Sequence, residues 1–438
     1  MSSEWKKVTV EDIASSQPAA LSTGPFGSSI GSKHFTVFGV PVIRGSNLSS
    51  EISTRLNDDG LVFVSPEKAK EFQRSIVRKD DLVFTCWGTI NQVGYIDDGA
   101  KFLEYIVSNK QMKLTLDKEK AYPLYIYYVF SGPEKQREIL DNGIGSSVPG
   151  FNLGQLKKHE IFLPPLTEQK SIAALLGNLD DRITLLRETN ATLEAIAQAL
   201  FKSWFVDFDP VHAKQQGRAP EGMDAATAVL FPDSFEESEL GMVPKGWTYC
   251  SLKDVTAIFD SKRVPLSGAE RSKRQGVYPY YGAASLMDYV NDYIFDGIYL
   301  LIGGDGSVAN ASGYPITQYV WGKFWVNNHA HILQGKNGVS TEHLMLSMQQ
   351  TYIQPYITGA VQAKLSQSNM WRINFLNSGI EISEAFGKVV STLYESLRMN
   401  SEHVKTLATL RDTLLPRLIS GQLRLPEAQA LVEEATAA

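Results

Sequence analysis

The sequence predicts a mixed α/β fold in which two globular domains, related as a pseudo-two-fold repeat, are separated by two long helices that form an antiparallel coiled coil. Two stretches, 166–208 and 380–421, carry apolar residues at alternating steps of three and four, the spacing of a coiled-coil seam. Short runs of β-branched and aromatic residues, separated by glycine and asparagine, precede each stretch. Segments before the first helix also recur, in the same order, before the second.

Each predicted helix has one asparagine in its apolar seam, Asn190 in the first and Asn400 in the second. Antiparallel packing places an a position of one helix opposite a d position of the other, and pairing the two asparagines brings the remaining layers into register. An asparagine in such a seam costs stability and specifies alignment. We therefore expect Asn190 and Asn400 to set the register of the coiled coil.

One layer of this alignment breaks the apolar pattern. Leu179 lies opposite Arg411, and Asp180 or Asp181 is expected to pair with the arginine. The layers away from this point join apolar residues: Ile172 with Leu418, Ile183 with Leu407 and Trp204 with Phe386.

The repeat gives the order of domains along the chain. The matching segments are WKKVTVEDI (5–13) with WTYCSLKDV (247–255), PVIRGSNL (41–48) with PYYGAASL (279–286), and YIVSNKQMKL (105–114) with FWVNNHAHIL (324–333). The predicted parts are a first globular domain at 1–165, a first helix at 166–208, a linker at 209–245, a second globular domain at 246–379, a second helix at 380–421 and a tail at 422–438. Since the first helix ends at the second domain and the second helix starts there, this order also favours antiparallel pairing.

Composition limits the classes of protein that fit. The net charge is −6, but the acidic excess lies in segments 209–245 and 422–438, so the globular parts are balanced and can still present a basic face. Cys86 and Cys250 are the only cysteines and lack zinc-ligand spacing. No window approaches a membrane span and the N-terminus lacks an apolar signal core. We expect a cytoplasmic protein without membrane contact.

Loops of the first domain carry candidate DNA-binding residues. Small residues surround Lys33 in the segment 21–35, and Arg44, Ser46 and Asn47 follow the predicted strand at 40–43. Such loops approach phosphates and base edges closely. Ordinary turn chemistry is the alternative explanation for the same pattern.

The second domain has the densest basic cluster in the chain, followed directly by tyrosines, a combination suited to backbone contact with stacking. A solvated loop is the alternative. The candidate DNA-binding residues here are Lys262, Arg263, Arg271, Lys273, Tyr281 and Lys364.

The sequence contains no recognisable catalytic set. It lacks a phosphate-binding loop lysine, a metalloprotease HExxH, a GxSxG elbow and the Asp/Asn-Pro-Pro-aromatic loop of amino-group methylation. His329 and His331 alternate along a predicted strand, but no third metal ligand is evident, so a structural or DNA-facing role is favoured. We expect no metal and no catalytic residue in this chain.

The chain resembles the DNA-specificity subunit of type I restriction–modification systems over nearly its whole length. The segments that carry the resemblance are IFLPPLTEQKSIAALLGNLDDRITLLRETN (161–190), ALFKSWFVDFDPV (199–211), GRAPEGMDAATAVLFPDSFEESELGMVPKGW (217–247), TGPFGSSI (23–30) and YPYYGAASLMDYVNDYIFDGIYLLIGGDG (278–306). The second helix lacks the LPPLxEQ entry of the first, so the repeat is imperfect there.

The resemblance implies that each globular domain is a target-recognition domain that reads one half of a bipartite, asymmetric double-stranded DNA site. It also implies a non-catalytic scaffold for two modification (methyltransferase) subunits and two restriction (translocase and nuclease) subunits. S-adenosylmethionine, ATP and Mg²⁺ would bind those partners, and this chain would hold no cofactor. The alternatives are a self-sufficient site-specific DNA methyltransferase and a coiled-coil adaptor without DNA contact.

Overall fold

The computed structural model of the chain describes residues 5–27, 29–145, 148–359 and 361–437. The chain divides into two compact units: unit 1 comprises residues 1–187 and 402–438, and unit 2 comprises residues 188–401. Among the described residues, no helix combines the length and the apolar character that a membrane crossing needs.

Unit 1 consists of short strands and short helices, together with parts of two long helices. Its strands are β1 (Lys6–Thr9), β2 (Leu21–Thr23), β3 (Phe35–Thr36), β4 (Val40–Ile43), β5 (Val62–Val64), β6 (Ile76–Arg78), β7 (Leu82–Thr85), β8 (Val93–Tyr95), β9 (Glu104–Val107), β10 (Gln111–Leu114) and β11 (Glu160–Leu163). Its short helices are α1 (Val10–Ile13), α2 (Pro66–Lys70), α3 (Pro123–Ser131), α4 (Pro133–Asp141) and α5 (Leu153–Lys158). The long helix α6 (Leu166–Phe205) begins here and continues into unit 2.

Unit 2 has the same mixture of elements. Its strands are β12 (Phe235–Ser238), β13 (Gly241–Pro244), β14 (Thr248–Ser251), β15 (Thr256–Ile258), β16 (Gln275–Tyr281), β17 (Leu286–Val290), β18 (Phe295–Asp296), β19 (Tyr299–Gly303), β20 (Thr317–Val320), β21 (Lys323–Val326), β22 (Ala330–Gly335) and β23 (Asn374–Asn377). Its short helices are α7 (Asp209–Gln215), α8 (Ala225–Leu230), α9 (Gly268–Lys273), α10 (Thr341–Gln349) and α11 (Gln367–Met370). The long helix α12 (Ile380–Ile419) returns to unit 1, where α13 (Leu425–Ala437) follows it.

Both units share the strand order of one four-stranded sheet and the central strands of a second sheet. One sheet runs β2-β10-β7-β8 in unit 1, and its counterpart runs β15-β22-β19-β20 in unit 2, with antiparallel neighbours in both. A further sheet runs β3-β5-β4-β9-β6 in unit 1 and β17-β16-β21-β18 in unit 2. The pair at its centre, β4 with β9 or β16 with β21, is parallel in each unit.

The register of these parallel pairs confirms the repeat predicted from sequence. Ile43 lies opposite Val107 in unit 1, and Tyr281 lies opposite Val326 in unit 2. These residues belong to the segments whose sequences resemble each other. The short match at the start of each domain is confirmed as well, because β1 pairs with β11 and β14 pairs with β23, the strand that precedes the long helix of each unit.

Within unit 2, the long helices pair in opposite directions with the predicted asparagine contact. The side-chain amide of Asn400 donates to Asn190 Oδ1 at 2.9 Å, and Asn190 donates to Leu397 O at 3.2 Å. Farther along, the rings of Trp204 and Phe386 lie 5.3 Å apart. Residue numbers rise along α6 in the direction in which they fall along α12, so the two helices are antiparallel here. Both predicted layers are confirmed.

Within unit 1, the same register continues to the predicted misfit. Arg411 donates from Nη1 to Asp180 Oδ1 at 2.7 Å, so Asp180 rather than Asp181 is its partner on α6. Asp181 instead accepts from Arg55 at 2.9 Å. Leu179 is buried in the same apolar core as Ile172 and Leu418.

The segment 209–245, predicted as a surface connection, is folded into unit 2. It forms α7, α8 and the β12–β13 hairpin. Val211 and Phe231 are fully buried, and the Phe231 ring packs edge-on against Trp204 at 5.1 Å. The sequence did not indicate this packing, because the segment is mostly acidic and proline-rich and contains few of the apolar residues that become buried. The tail predicted at 422–438 likewise contains α13, which buries Ala428 in the core of unit 1.

Candidate nucleic-acid interface

The turn after β4 in unit 1 holds three predicted DNA-binding residues, and the structure separates their roles. Asn47 is fully buried, and its side-chain amide donates to the carbonyls of Asn57 and Asp59 at 3.0 and 3.2 Å. Its Oδ1 accepts from the Arg44 backbone N–H at 3.1 Å. The polar atoms of Asn47 therefore shape the turn, and contact between Asn47 and DNA stays a prediction. Ser46 is exposed.

Arg44 and Ser46 line a cleft of about 610 Å³ in unit 1. Arg44 Nη2 donates to Gly60 O at 2.9 Å, while its buried Nε has no hydrogen-bond partner among the described residues. Lys33 lies in a 3₁₀ turn at Ser32–His34 and is exposed, so it stays a predicted DNA contact.

The two arginines of the predicted basic cluster in unit 2 are occupied internally. Arg263 donates to Asp260 O and Ala330 O at 2.9 and 2.6 Å, and it also pairs with the Asp260 carboxylate at 3.3 Å. Arg271 pairs with Asp288 at 3.1 Å and lies over the Tyr280 ring at 5.2 Å. These guanidinium groups hold loops together, and direct contact of Arg263 and Arg271 with DNA stays a prediction.

The lysines of unit 2 are placed differently from the arginines. Lys262, Lys273 and Lys364 are all exposed. The Lys262 ammonium lies 5.4 Å from the centre of the Phe259 ring. Tyr281, at the end of β16, is half-buried with its ring edge-on to Phe324 at 5.9 Å. These four stay predicted DNA contacts.

The cleft in unit 1 also contains residues that the sequence did not single out as binding residues. Trp87 lies at its rim with 46% of its surface exposed, and Lys110 is exposed beside it. Gln111 is fully buried and lines the cleft, and its Nε2 has no hydrogen-bond partner among the described residues. The sequence offered one indication of Trp87 as a binding residue, because this tryptophan lies between Cys86 and Gly88 just after a predicted buried strand.

Matching backbone contacts show which residues occupy the equivalent place in unit 2. Trp87 forms a β-bridge with Gly150 in unit 1, and Asp305 forms one with Lys364 in unit 2. Cys86 N–H donates to Lys110 O at 2.6 Å, as Gly304 N–H donates to His329 O at 2.8 Å. The pair Trp87 and Lys110 thus corresponds to Asp305 and His329, so the two units carry different chemistry at one topological position.

The two histidines flanking this position in unit 2 have structural contacts. His331 Nδ1 lies 2.5 Å from Asp260 Oδ2, and its Nε2 lies 2.7 Å from Leu365 O. His329 Nδ1 lies 3.3 Å from Asp305 Oδ2. Within the described residues, no group of three or more His, Cys, Asp or Glu side chains is arranged to hold a metal ion.

The cysteine next to the cleft is not set up as a nucleophile. Burial raises the pKa of the Cys86 thiol to about 12. A thiol with this pKa stays protonated at neutral pH, and the thiolate is the reactive form.

The sequence profile of the type I restriction modification DNA specificity domain matches residues 2–195 and 244–376, which is more than half of the chain. The chain belongs to this family. The two matched ranges cover the β-sheets of unit 1 and those of unit 2 that follow the 209–245 segment.

Two relatives are similar to this chain over most of its length. The HindI specificity subunit of Haemophilus influenzae is 26% identical over 383 residues, covering 73% of this chain and 81% of the relative. The MjaIX specificity subunit of Methanocaldococcus jannaschii is 23% identical over 381 residues, covering 83% of this chain and 82% of the relative. Both relatives are named type I restriction enzyme specificity subunits.

A solved structure supports the fold. The type I restriction–modification S subunit from M. genitalium superposes with a TM-score of 0.58 at 16% identity, covering 94% of this chain and 96% of that one. The mixed α/β fold with a paired set of long helices, predicted from the sequence, is confirmed.

Proposed function

We propose that this chain is the DNA-specificity subunit of a type I restriction–modification complex and that each unit recognises one half of a bipartite, asymmetric site in double-stranded DNA. The observation that carries the proposal is the double family match, in which one range spans the sheets of unit 1 and the other lies within unit 2. The shared strand order of the units supports it, since two similar domains with different loop chemistry suit two different half-sites.

The exposed lysines support a contribution from phosphate contacts. Five lysines are exposed in loops, in 3₁₀ turns or, for Lys273, at the end of the short helix α9: Lys33 and Lys110 in unit 1, and Lys262, Lys273 and Lys364 in unit 2. Lysine contacts to phosphate increase affinity for any DNA sequence and make binding weaken as salt rises. Because the net charge of the chain is −6, attraction to DNA would depend on such local basic patches and not on the total charge.

The partners proposed for this chain are two modification subunits and two restriction subunits. S-adenosylmethionine would bind the modification subunits, and ATP with Mg²⁺ the restriction subunits, while this chain recognises the site and holds the assembly together. The setting proposed is the cytoplasm, where the host DNA lies.

We also propose that α6 and α12 set the length of the unread spacer between the half-sites. Each helix belongs partly to unit 1 and partly to unit 2. Asn190 and Asn400 hold one alignment of the pair, and Asp180 with Arg411 holds the same alignment farther along.

A methyl-transfer assay tests the proposal against a self-sufficient methyltransferase. The purified chain with labelled S-adenosylmethionine and mixed-sequence DNA is expected to transfer no methyl group, whereas the chain with its modification subunits is expected to methylate a bipartite motif. Transfer by the chain alone would show that it carries its own catalytic site. A complex that methylates DNA without a bipartite motif would contradict the specificity role.

A lysine variant tests DNA contact against a purely structural adaptor. Lys262→Ala with Lys273→Ala is expected to weaken DNA binding by the assembled complex similarly on all sequences, and to reduce the salt dependence by about one unit per lost contact. The matched control is Lys79→Ala, an exposed lysine paired with Asp98. Binding unchanged by the double substitution would exclude these two lysines as phosphate contacts.

A further inference from the structure

We infer that the unit 1 cleft binds the major-groove edge of a guanine in the half-site that this unit recognises. The inference rests on the proposed function and adds the class of base edge to it. The cleft has a volume of about 610 Å³ and is lined by the turn after β4, the segment 85–92 after β7, and the residues before β10. None of the described residues that line it is an aspartate or a glutamate.

Three buried polar atoms of residues that line this cleft have no hydrogen-bond partner within the described part of the chain. They are Arg44 Nε, Gln111 Nε2 and Thr85 Oγ1, and each of these groups can donate a hydrogen bond. A buried donor without an acceptor costs about 1–3 kcal/mol. A ligand that supplies acceptors removes this cost on binding, and one that supplies further donors does not.

The hydrogen bonds around Gln111 occupy one end of its side-chain amide. The Ser108 hydroxyl accepts from the Lys110 backbone N–H at 3.4 Å and donates to Gln111 Oε1. The acceptor end is therefore in use and the Nε2 donor remains. A glutamine with both ends available suits adenine, which presents a donor beside an acceptor, but this glutamine offers a donor alone.

Gly45 is the cleft residue beside this buried donor. A Cβ built on Gly45 would have a single neighbour within 4 Å among the described atoms, Gln111 Nε2 at 3.8 Å. Gly45 and Gln111 both line the cleft. A larger residue at position 45 would therefore lie against the amide nitrogen and occupy the space next to it without displacing other atoms.

Among the four bases, guanine fits a set of donors best. Its major-groove edge presents the N7 and O6 acceptors and no donor, whereas cytosine presents an amino group and adenine an amino group beside N7. Arg44 Nη2 is held by Gly60 O, which restrains the guanidinium, and Nε remains without an acceptor among the described residues. Trp87 at the rim adds an apolar face, and its ring lies so close to Gly150 that a Cβ there would come within 2.6 Å of it.

The equivalent place in unit 2 indicates that this chemistry is particular to unit 1. There, Asp305 stands where Trp87 stands and brings a carboxylate, which accepts hydrogen bonds. Lys364 replaces Gly150, the residue against which Trp87 packs. The fold is shared at this position but the side chains differ. Two half-sites of different sequence would be distinguished at such a position.

The test uses the full chain assembled with its modification subunits and a duplex that carries the methylated motif. Each guanine of the unit 1 half-site is replaced in turn by 7-deazaguanine, which lacks the N7 acceptor. We expect one position at which affinity falls about tenfold, and no such effect from guanines of the other half-site. Absence of a sensitive guanine in the unit 1 half-site would overturn the inference.

Two variants link that guanine to the cleft. Gly45→Ala is expected to weaken binding of the natural duplex several-fold and to make 7-deazaguanine at the sensitive position cost less than it does in the natural protein. Arg44→Lys, which keeps the charge and loses Nε, is expected to do the same. Arg78→Lys, which changes an exposed arginine paired with Glu104 outside the cleft, is the matched control and should leave both values unchanged.

The remaining outcomes separate this inference from the proposed function. If the variants lower affinity equally on all sequences and reduce its salt dependence, the cleft holds a phosphate and the guanine assignment is wrong. If the variants bind normally and keep full sensitivity to 7-deazaguanine, the guanine is recognised elsewhere. If the complex binds no DNA sequence selectively, the proposed function itself fails, and the inference with it.

Discussion

The contact between Asp180 and Arg411 shows how one pair of residues repairs a break in an apolar seam. Both side chains are buried, at 1% and 3% exposure. Besides Arg411 at 2.7 Å, Asp180 accepts from the Tyr128 hydroxyl at 2.6 Å. Burial raises the pKa of the Asp180 carboxyl, and the hydrogen bonds from Arg411 and Tyr128 oppose that rise. Such a pair stabilises little by itself, but removing one member leaves a buried charge without its main partner.

Asp180→Ala is therefore expected to lower the free energy of unfolding of the chain by about 3 kcal/mol, measured by urea denaturation. Arg411 keeps its contact with Asp412, which limits the loss. The matched control is Asp181→Ala, which removes a more exposed pair with Arg55 and should cost less than about 1 kcal/mol. The double variant Asp180→Ala with Arg411→Leu should be more stable than Asp180→Ala alone. A further loss in the double variant would contradict this explanation.

His343 makes the stability of unit 2 depend on pH. Its imidazole is 1% exposed and lies against the rings of Phe205 and Phe386, at 4.6 and 4.8 Å between ring centres. Burial lowers the pKa of His343 to about 3. The unfolded chain thus binds a proton near the ordinary histidine pKa of about 6.5, while the folded chain does not. This contribution to stability is present above that value and is lost as the pH falls below it.

Lowering the pH from about 7 to about 5 is expected to cost roughly 2 kcal/mol of unfolding free energy through His343. His343→Phe should remove that part of the pH dependence, since phenylalanine fills the aromatic site and does not titrate. Urea denaturation of both proteins at the two pH values measures the difference. If His343→Phe keeps the natural dependence, His343 is not the source.

The limits of sequence reasoning are clearest for single polar residues. Asn47, Arg263 and Arg271 were predicted to contact DNA, yet each is occupied by acceptors from elsewhere in its own unit. Charge and loop position predict that a side chain is polar and near the surface. They do not predict which backbone carbonyls will compete for its donors. Trp87 and Gln111 were missed for a related reason, since the cleft that joins them forms only after folding.

The two long helices were the part of the fold that the sequence predicted best. Coiled-coil packing depends on a short repeating interval, so α6 and α12 could be aligned residue by residue, and the contact between Asn190 and Asn400 confirms that alignment. The short strands could be located but not ordered, because the pairing of β4 with β9 joins segments far apart in the chain. The sequence repeat did allow one prediction about strand order, namely that the two units should resemble each other in it.

A matched insertion tests the proposal that these helices set the spacer. One heptad added after Asn190 and another before Asn400 keep the phase of both seams. Each lengthens its helix by about 10 Å, which corresponds to roughly three base pairs. We expect the spacer of the methylated motif to lengthen while both half-sites stay the same. An insertion in one helix alone should disrupt pairing and lower stability. An unchanged spacer with both insertions would show that other contacts determine it.

At the scale of the whole molecule, the chain is one fold used twice. Each unit has a four-stranded sheet of the same strand order, its own apolar core and its share of both long helices. The side chains differ where the fold is the same, as at Trp87 and Asp305. This arrangement suits the proposed function, in which one chain of 438 residues distinguishes two different half-sites. Recognition is therefore proposed to be modular, with one unit for each half of the site.

Exchanging residues 1–160 for the equivalent segment of another family member tests that claim most directly. The exchanged chain is assembled with its modification subunits in a host, and methylated adenines are mapped across the genome. We predict that one half of the bipartite motif changes, while the other half and the spacer keep their original sequence and length. A motif in which both halves change, or in which neither does, would contradict the account.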